Sequence, residues 1–249
     1  MNTADPNRYL DDFLVQVQDG LKHYSQVDSA LEESNTPANL RKAVAEDSAF
    51  RLGALWEVFQ GRWHVAAISR DPENFLKRMN KELEDKIKDS LRNTILAFNP
   101  DALTMPRRPK LAQIEFALDP TGFNITFKDT EAWIKSSVRY HSSTYQSLVR
   151  RISADAESAS FLNLLKKMRN HLAHGSYGSK AYLNRACKQR PEGEKEGLVG
   201  AKNEPLKRDQ RDVRDVGAYL RARTGQSGER RIEIIHQRTI EVAQLLRHQ

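Results

Sequence analysis

Three dipeptides near the start of the chain, Asp5-Pro6, Thr36-Pro37 and Asp71-Pro72, each set a side-chain oxygen directly before a proline. That pairing is suited to begin an α-helix. The oxygen accepts from free backbone N–H groups at the N-cap, and proline in the first helical position forfeits only an N–H that has no partner there. Apolar residues then recur at helical spacing after each pair. Leu10, Phe13, Leu14, Val17, Leu21 and Tyr24 predict a helix from Pro6 into the low thirties. Leu40, Val44, Phe50, Leu55, Phe59 and Trp63 predict a second from Pro37 to about Ser69. Phe75, Met79, Leu83, Ile87, Leu91 and Ile95 form a narrow seam in a more charged third, from Pro72 to about Ala97. A chain that opens this way is expected to be all-α, an up-and-down helical bundle.

The pattern breaks at "NPDALTMPRRPK". Ile114, Phe116 and Leu118 then alternate, Asp-Pro-Thr-Gly follows, and Phe123, Ile125 and Phe127 alternate again. Proline and glycine in those turn positions suit a type I turn, so a short β-hairpin insertion near 113–128 is expected to lean on the helices. Helix resumes after Asp129 through Trp133, Ile134, Val138, Tyr145, Leu148 and Ile152. A further helix begins near Asp155, carries Phe161, Leu165, Met168 and Leu172, and stops at Gly175, a residue suited to a left-handed terminus. This assigns 1–183 to the bundle, 184–229 to a flexible or inserted basic segment, and 230–249 to an amphipathic helix packing back on the bundle. Ile232, Ile235, Val242, Leu245 and Leu246 supply the apolar face of that last helix.

A net charge of +7 favours a polyanionic partner, RNA or DNA before an anionic membrane surface. The single cysteine, Cys187, excludes an internal disulfide framework and a cysteine-based zinc cluster. No secretory leader and no long apolar run is visible, so the expected compartment is the cytoplasm, without membrane insertion.

The stretch "LLKKMRNHLAHGSYGS", 164–179, concentrates the chemistry. Asn170 and His174 lie four apart, on one face of a helix, and Arg169 precedes them by one position. With Leu165, Met168 and Leu172 turned to the core, the polar trio is expected to project toward a groove, with Lys166 and Lys167 nearby. The helix dipole favours the imidazolium form of a histidine in the last turn. Two readings follow from the residues alone. One is a helix end whose cations complement the dipole and bond its last carbonyls. The other is a phosphodiester site, in which His174 moves a proton, Arg169 holds phosphoryl oxygens and Asn170 orients one of them. His171 and His174 are three apart, but no glutamate completes an H-E-x-x-H arrangement and no Cys/His cluster adds ligands, so no metal site is expected.

"RNHLAHG", with Arg169, four intervening residues and His174, resembles the Arg-x4–6-His signature of the HEPN superfamily, and Asn170 occupies its usual polar position. "LGALWEVFQGRW" resembles that superfamily's early helix bearing a glutamate, here Glu57. "GFNITFKDTEAWIKSS" followed by "FLNLLKKMRNHLAH" is similar to the RiboL-PSP branch, the likeness covering roughly residues 40 to 178. The resemblance implies a metal-independent endoribonuclease needing no cofactor. Its catalytic residues would be Arg169, His174 and Asn170, with His171, Lys166, Lys167, Glu57 and Tyr177 contacting RNA or supporting them. It also implies a homodimer with a shared cleft, RNA as substrate, and a toxin or anti-phage context in which an antitoxin or regulatory partner acts. Other members keep the fold and only bind nucleotide, RNA or a protein. Tyr177 lies three residues beyond His174, which departs from the His-x-Tyr pattern of tyrosine-modified toxins.

Overall fold

The computed structural model describes residues 4–87, 89–98, 105–122, 125–188, 198, 212–224 and 228–248. Helices dominate. The first, α1 (Pro6–Glu33), is capped by Asp5, whose carboxylate accepts from the Asn7 N–H at 3.0 Å. After Asn35, in a left-handed conformation at φ 50°, the chain returns as α2 (Ala38–Arg70). The two helices are antiparallel: Phe13 stacks on Phe59 at 4.3 Å between ring centroids, while Asp28 meets Arg41 at the other end. At the second and third helix starts the proline itself takes the cap position. Pro37 and Pro72 precede the first helical residue, and neither cap makes a side-chain hydrogen bond.

The third expected helix divides into α3 (Glu73–Lys86) and α4 (Asp89–Phe98), with Ile87 extended between them. Its seam is too narrow to hold it as one rod: Phe75 and Met79 are buried, while Leu91 is exposed. The expected hairpin is corrected. Its first arm is a helix, α5 (Leu111–Leu118), and among the described residues no strand is formed. Leu111, Ile114 and Leu118 also fit helical spacing, and that period prevails because it buries Ile114 against Val65, Ile68, Phe75 and Met79. Phe116, apolar in the alternating pattern, is left exposed. Residues 123 and 124 lie outside the described residues. Ile125 and Phe127 run on as irregular chain against α2, where Gly61 admits them, since a Cβ there would stand 2.5 Å from the Ile125 carbonyl oxygen.

The next predicted helix is also two, α6 (Thr130–Tyr140) and α7 (Ser143–Ala154), broken at His141. The carbonyl of His141 accepts from Asn74 Nδ2 and Gln146 Nε2, both at 2.8 Å, so the break leaves that group paired. Asp155 then caps α8 (Ala156–His174), which ends on Gly175 at φ 59° as expected. It is followed by a helix that the sequence pattern did not separate, α9 (Tyr177–Lys188). Two more follow among the described residues, α10 (Val216–Arg221) and α11 (Arg231–Gln244). Much of the expected flexible segment lies outside the described residues, but Leu198, Val213, Val216, Tyr219 and Leu220 are core members.

Helix α2 is the hub, packing against α1, α8, α10 and α5. An aromatic spine holds the centre, with Trp133 of α6 edge-on to both Trp56 and Trp63 of α2. Asp28 of α1, 1% exposed, ties that helix to α2, α10 and the start of α11. Arg41 binds it through two bonds of 3.1 Å, Arg221 approaches to 3.4 Å, and Arg230 also pairs with it. Among the described residues no helix is long and apolar enough to cross a membrane.

Candidate functional site

The site is built where α8 crosses α2. Gly53 makes the crossing close: a Cβ at that position would stand 2.5 Å from Arg169 Cβ. Arg169 therefore does not project into an open groove with Asn170 and His174, as its place in the sequence suggested. Its stem lies against α2, and its guanidinium turns along that helix. Nη2 meets Glu57 Oε2 at 3.1 Å, Nη1 donates to Asn170 Oδ1 at 3.1 Å, and the Phe50 ring lies 6.0 Å from Cζ. The side chain keeps 29% of its exposure, so the guanidinium is held on two sides and still open to solvent. Each terminal nitrogen carries two hydrogens, so one on each remains available to an anion. The Nε of Arg169 is buried with no hydrogen-bond partner.

Glu57, only 14% exposed, binds a second cation, with Lys166 Nζ at 3.5 Å. That ammonium also donates to the Phe127 carbonyl, so Lys166 fastens the irregular 125–128 stretch to α8. Asn170 orients Arg169 and is half-buried. His174, in the last turn, is exposed, and its side chain makes no hydrogen bond or ion pair with a described residue. Arg169 and His174 are five positions apart, about 140° round the helix and about 7.5 Å along it, so they leave different sides of α8. The structure thus joins Glu57, Lys166, Arg169 and Asn170 into one network and leaves His174 outside it.

His171 turns toward α9. Its Nδ1 lies 3.1 Å from the Ser179 hydroxyl, and burial, with Lys180 nearby, holds its imidazole below the usual range. Among the described residues no group of three His, Cys, Asp or Glu could hold a metal. Lys167 lies over the Tyr182 ring at 5.5 Å, and Tyr177, first residue of α9, is 90% exposed. Sequence reasoning missed Phe50 and Gly53 as site residues. Their signal was present, since Phe50, Gly53 and Glu57 follow an i, i+3, i+7 pattern on one face of α2. Ser179 carried no comparable signal.

No protein-family profile, no characterised protein and no solved structure matches the chain.

Proposed function

We propose that the chain is a metal-independent endoribonuclease of the HEPN type, acting on RNA in the cytoplasm as a homodimer. The observation that carries this reading is the guanidinium of Arg169, positioned by Glu57 and Asn170 yet solvent-facing, five residues before an unpartnered His174 at a helix end. A pre-positioned guanidinium stabilises charge developing on a phosphorane without having to reorganise. In the reaction the ribose 2′-oxygen attacks the adjacent phosphorus as its proton is removed. The bond from phosphorus to the 5′-oxygen breaks, and that oxygen is protonated. Products carry a 2′,3′-cyclic phosphate and a 5′-hydroxyl. His174 serves the proton transfers, and DNA, lacking the 2′-hydroxyl, is not cut. Because Arg169 and His174 leave different sides of α8, the reading assigns the shared cleft to two copies. A toxin or anti-phage role, with an antitoxin or regulatory partner over the cleft, fits an activity that harms the cell when free.

A second reading is a non-catalytic HEPN module that binds RNA, nucleotide or a partner protein. The Arg169–Glu57 ion pair favours it, because a neutralised guanidinium attracts phosphate less strongly. End-group analysis separates the two. Single-stranded RNA incubated with the protein in EDTA yields 2′,3′-cyclic phosphate ends on the first reading, and His174→Ala and Arg169→Ala fold normally but produce none. If wild type makes no product while binding RNA in a salt-dependent way, the second reading holds. Cleavage undiminished in His174→Ala rejects the mechanism.

A further inference from the structure

A groove of about 530 Å³ lies between α1 and α2, with His236 of α11 among its lining residues. None of the residues of the Arg169 network lines it. Val27, Ala43, Val44 and Leu55 give it an apolar wall over the buried Val17 and Leu52, and its size suits a small molecule. Gly20 faces its floor: an ideal Cβ there would stand 3.9 Å from His236 Nε2, so no side chain at this position covers the ring nitrogen.

Gln16, His23 and Arg51 line its solvent side, and His236 is its deepest polar group. His236 is 2% exposed, and its Nδ1 lies 2.9 Å from the Ile232 carbonyl oxygen, which can only accept. Nδ1 therefore carries the proton, and Nε2 presents a lone pair. The Ser48 hydroxyl is its nearest partner, at 3.4 Å, the outer limit of a hydrogen bond. Burial keeps this imidazole neutral, its proton affinity lowered. At the rim stand Asp19 and Asp47, with Arg51 paired to Asp47 at 2.9 Å. Two carboxylates against one guanidinium leave the rim acidic, on a chain whose net charge is +7. With Asp47 balanced by Arg51, the unbalanced carboxylate is Asp19, and together with the Nε2 lone pair it favours a hydrogen-bond donor carrying positive charge.

We infer that this groove binds a small apolar amine, its hydrocarbon or aromatic body against Val27, Val44 and Leu55, and its ammonium toward Asp19 and the Ser48–His236 pair. The site is separate from the Arg169 network and stands whether or not RNA is cut.

Tryptamine and indole-3-propionate test it, since they share an indole on a short chain and differ in the sign of the terminal charge. Titrations of the full chain followed by isothermal calorimetry and ligand-observed NMR are expected to give a tryptamine Kd on the order of 1 mM, typical of so small a ligand. Indole-3-propionate is expected to bind at least about tenfold more weakly, the ratio that distinguishes charge selection from apolar trapping. Gly20→Leu fills the groove from within a helix and abolishes binding. Asp19→Lys, an exposed substitution that leaves the packing untouched, also abolishes it. Equal binding of the two indoles, no binding of tryptamine to wild type, or full affinity in Asp19→Lys overturns the inference. So does a wild-type dimer in sedimentation that Gly20→Leu dissociates while tryptamine fails to bind, because the groove would then seat a second copy of the chain.

Discussion

Glu57 Oε2 and Arg169 Nη2 stand 3.1 Å apart, and this pair joins α2 to α8 directly above the contact at Gly53. The order of causes runs upward from the glycine. Its missing side chain lets the helices approach, the approach lays the Arg169 stem along α2, and the stem's direction delivers the guanidinium to a carboxylate one helical turn further on.

Gly53→Ala tests that order. Alanine favours the helix by about 1 kcal/mol in an open position, but here its Cβ collides with Arg169 Cβ. A net loss of about 1–3 kcal/mol is expected, the usual cost of overpacking. Urea unfolding measures it, and a stabilised variant would show that the helices do not meet there.

Asn170→Ala is expected to leave unfolding unchanged within about 0.5 kcal/mol, because the residue is only half-buried. On the proposed reading it lowers kcat about tenfold, about 1.4 kcal/mol in the barrier, by releasing Arg169 Nη1. An RNA cleavage time course comparing it with His174→Ala, in which no product is expected, separates a positioning residue from one that moves protons.

Asp28→Asn removes the carboxylate that Arg41, Arg221 and Arg230 share. Removing one partner from a buried charge cluster costs about 3–5 kcal/mol, more than the cluster contributes when complete. For a chain of this size that lowers Tm by about 10 °C. Thermal unfolding checks it, and a change below about 2 °C would mean that solvent reaches the arginines freely.

Acid should weaken the fold well above the range where carboxylates titrate. His64 and His141 are fully buried with ring centroids 4.4 Å apart, and both nitrogens of His141 lack hydrogen-bond partners. Burial holds the His141 imidazole down at about 3 and puts His64 well below its ordinary value, with the His141 ring adding to the effect. Below pH 6.5 the unfolded chain takes up protons that the folded chain refuses, so stability falls as pH falls, down to about pH 3. From pH 7 to pH 5, His141 alone accounts for about 2 kcal/mol. The lowered carboxyls of Asp155 and Asp215 act only below about pH 4. Urea midpoints at pH 7, 6 and 5 measure the effect, and His141→Leu should reduce its slope.

Much of the helical order is legible in the residues themselves. The Asp5 cap, the Asp155 cap and the Gly175 stop all follow from contacts within one helical turn, where local chemistry decides. The expected hairpin fails because the local signal is ambiguous and a distant contact decides it. A short apolar run at 111–118 fits two periods, and only the position of Val65, Ile68 and Phe75 selects the helix. The same holds at His141, where the chain breaks because Asn74, remote in sequence, and Gln146 are placed to satisfy its carbonyl.

At the site, the sequence by itself determined which groups α8 carries and where that helix must end, because helical periodicity and a left-handed glycine are properties of neighbouring residues. It could not determine which way Arg169 turns. That depended on a helix more than a hundred positions earlier, brought within van der Waals contact by a glycine and holding a carboxylate at the right height. Packing across α2 and α8 turned three polar residues of one helix end into a held arginine, the asparagine that orients it, and a histidine left free to solvent.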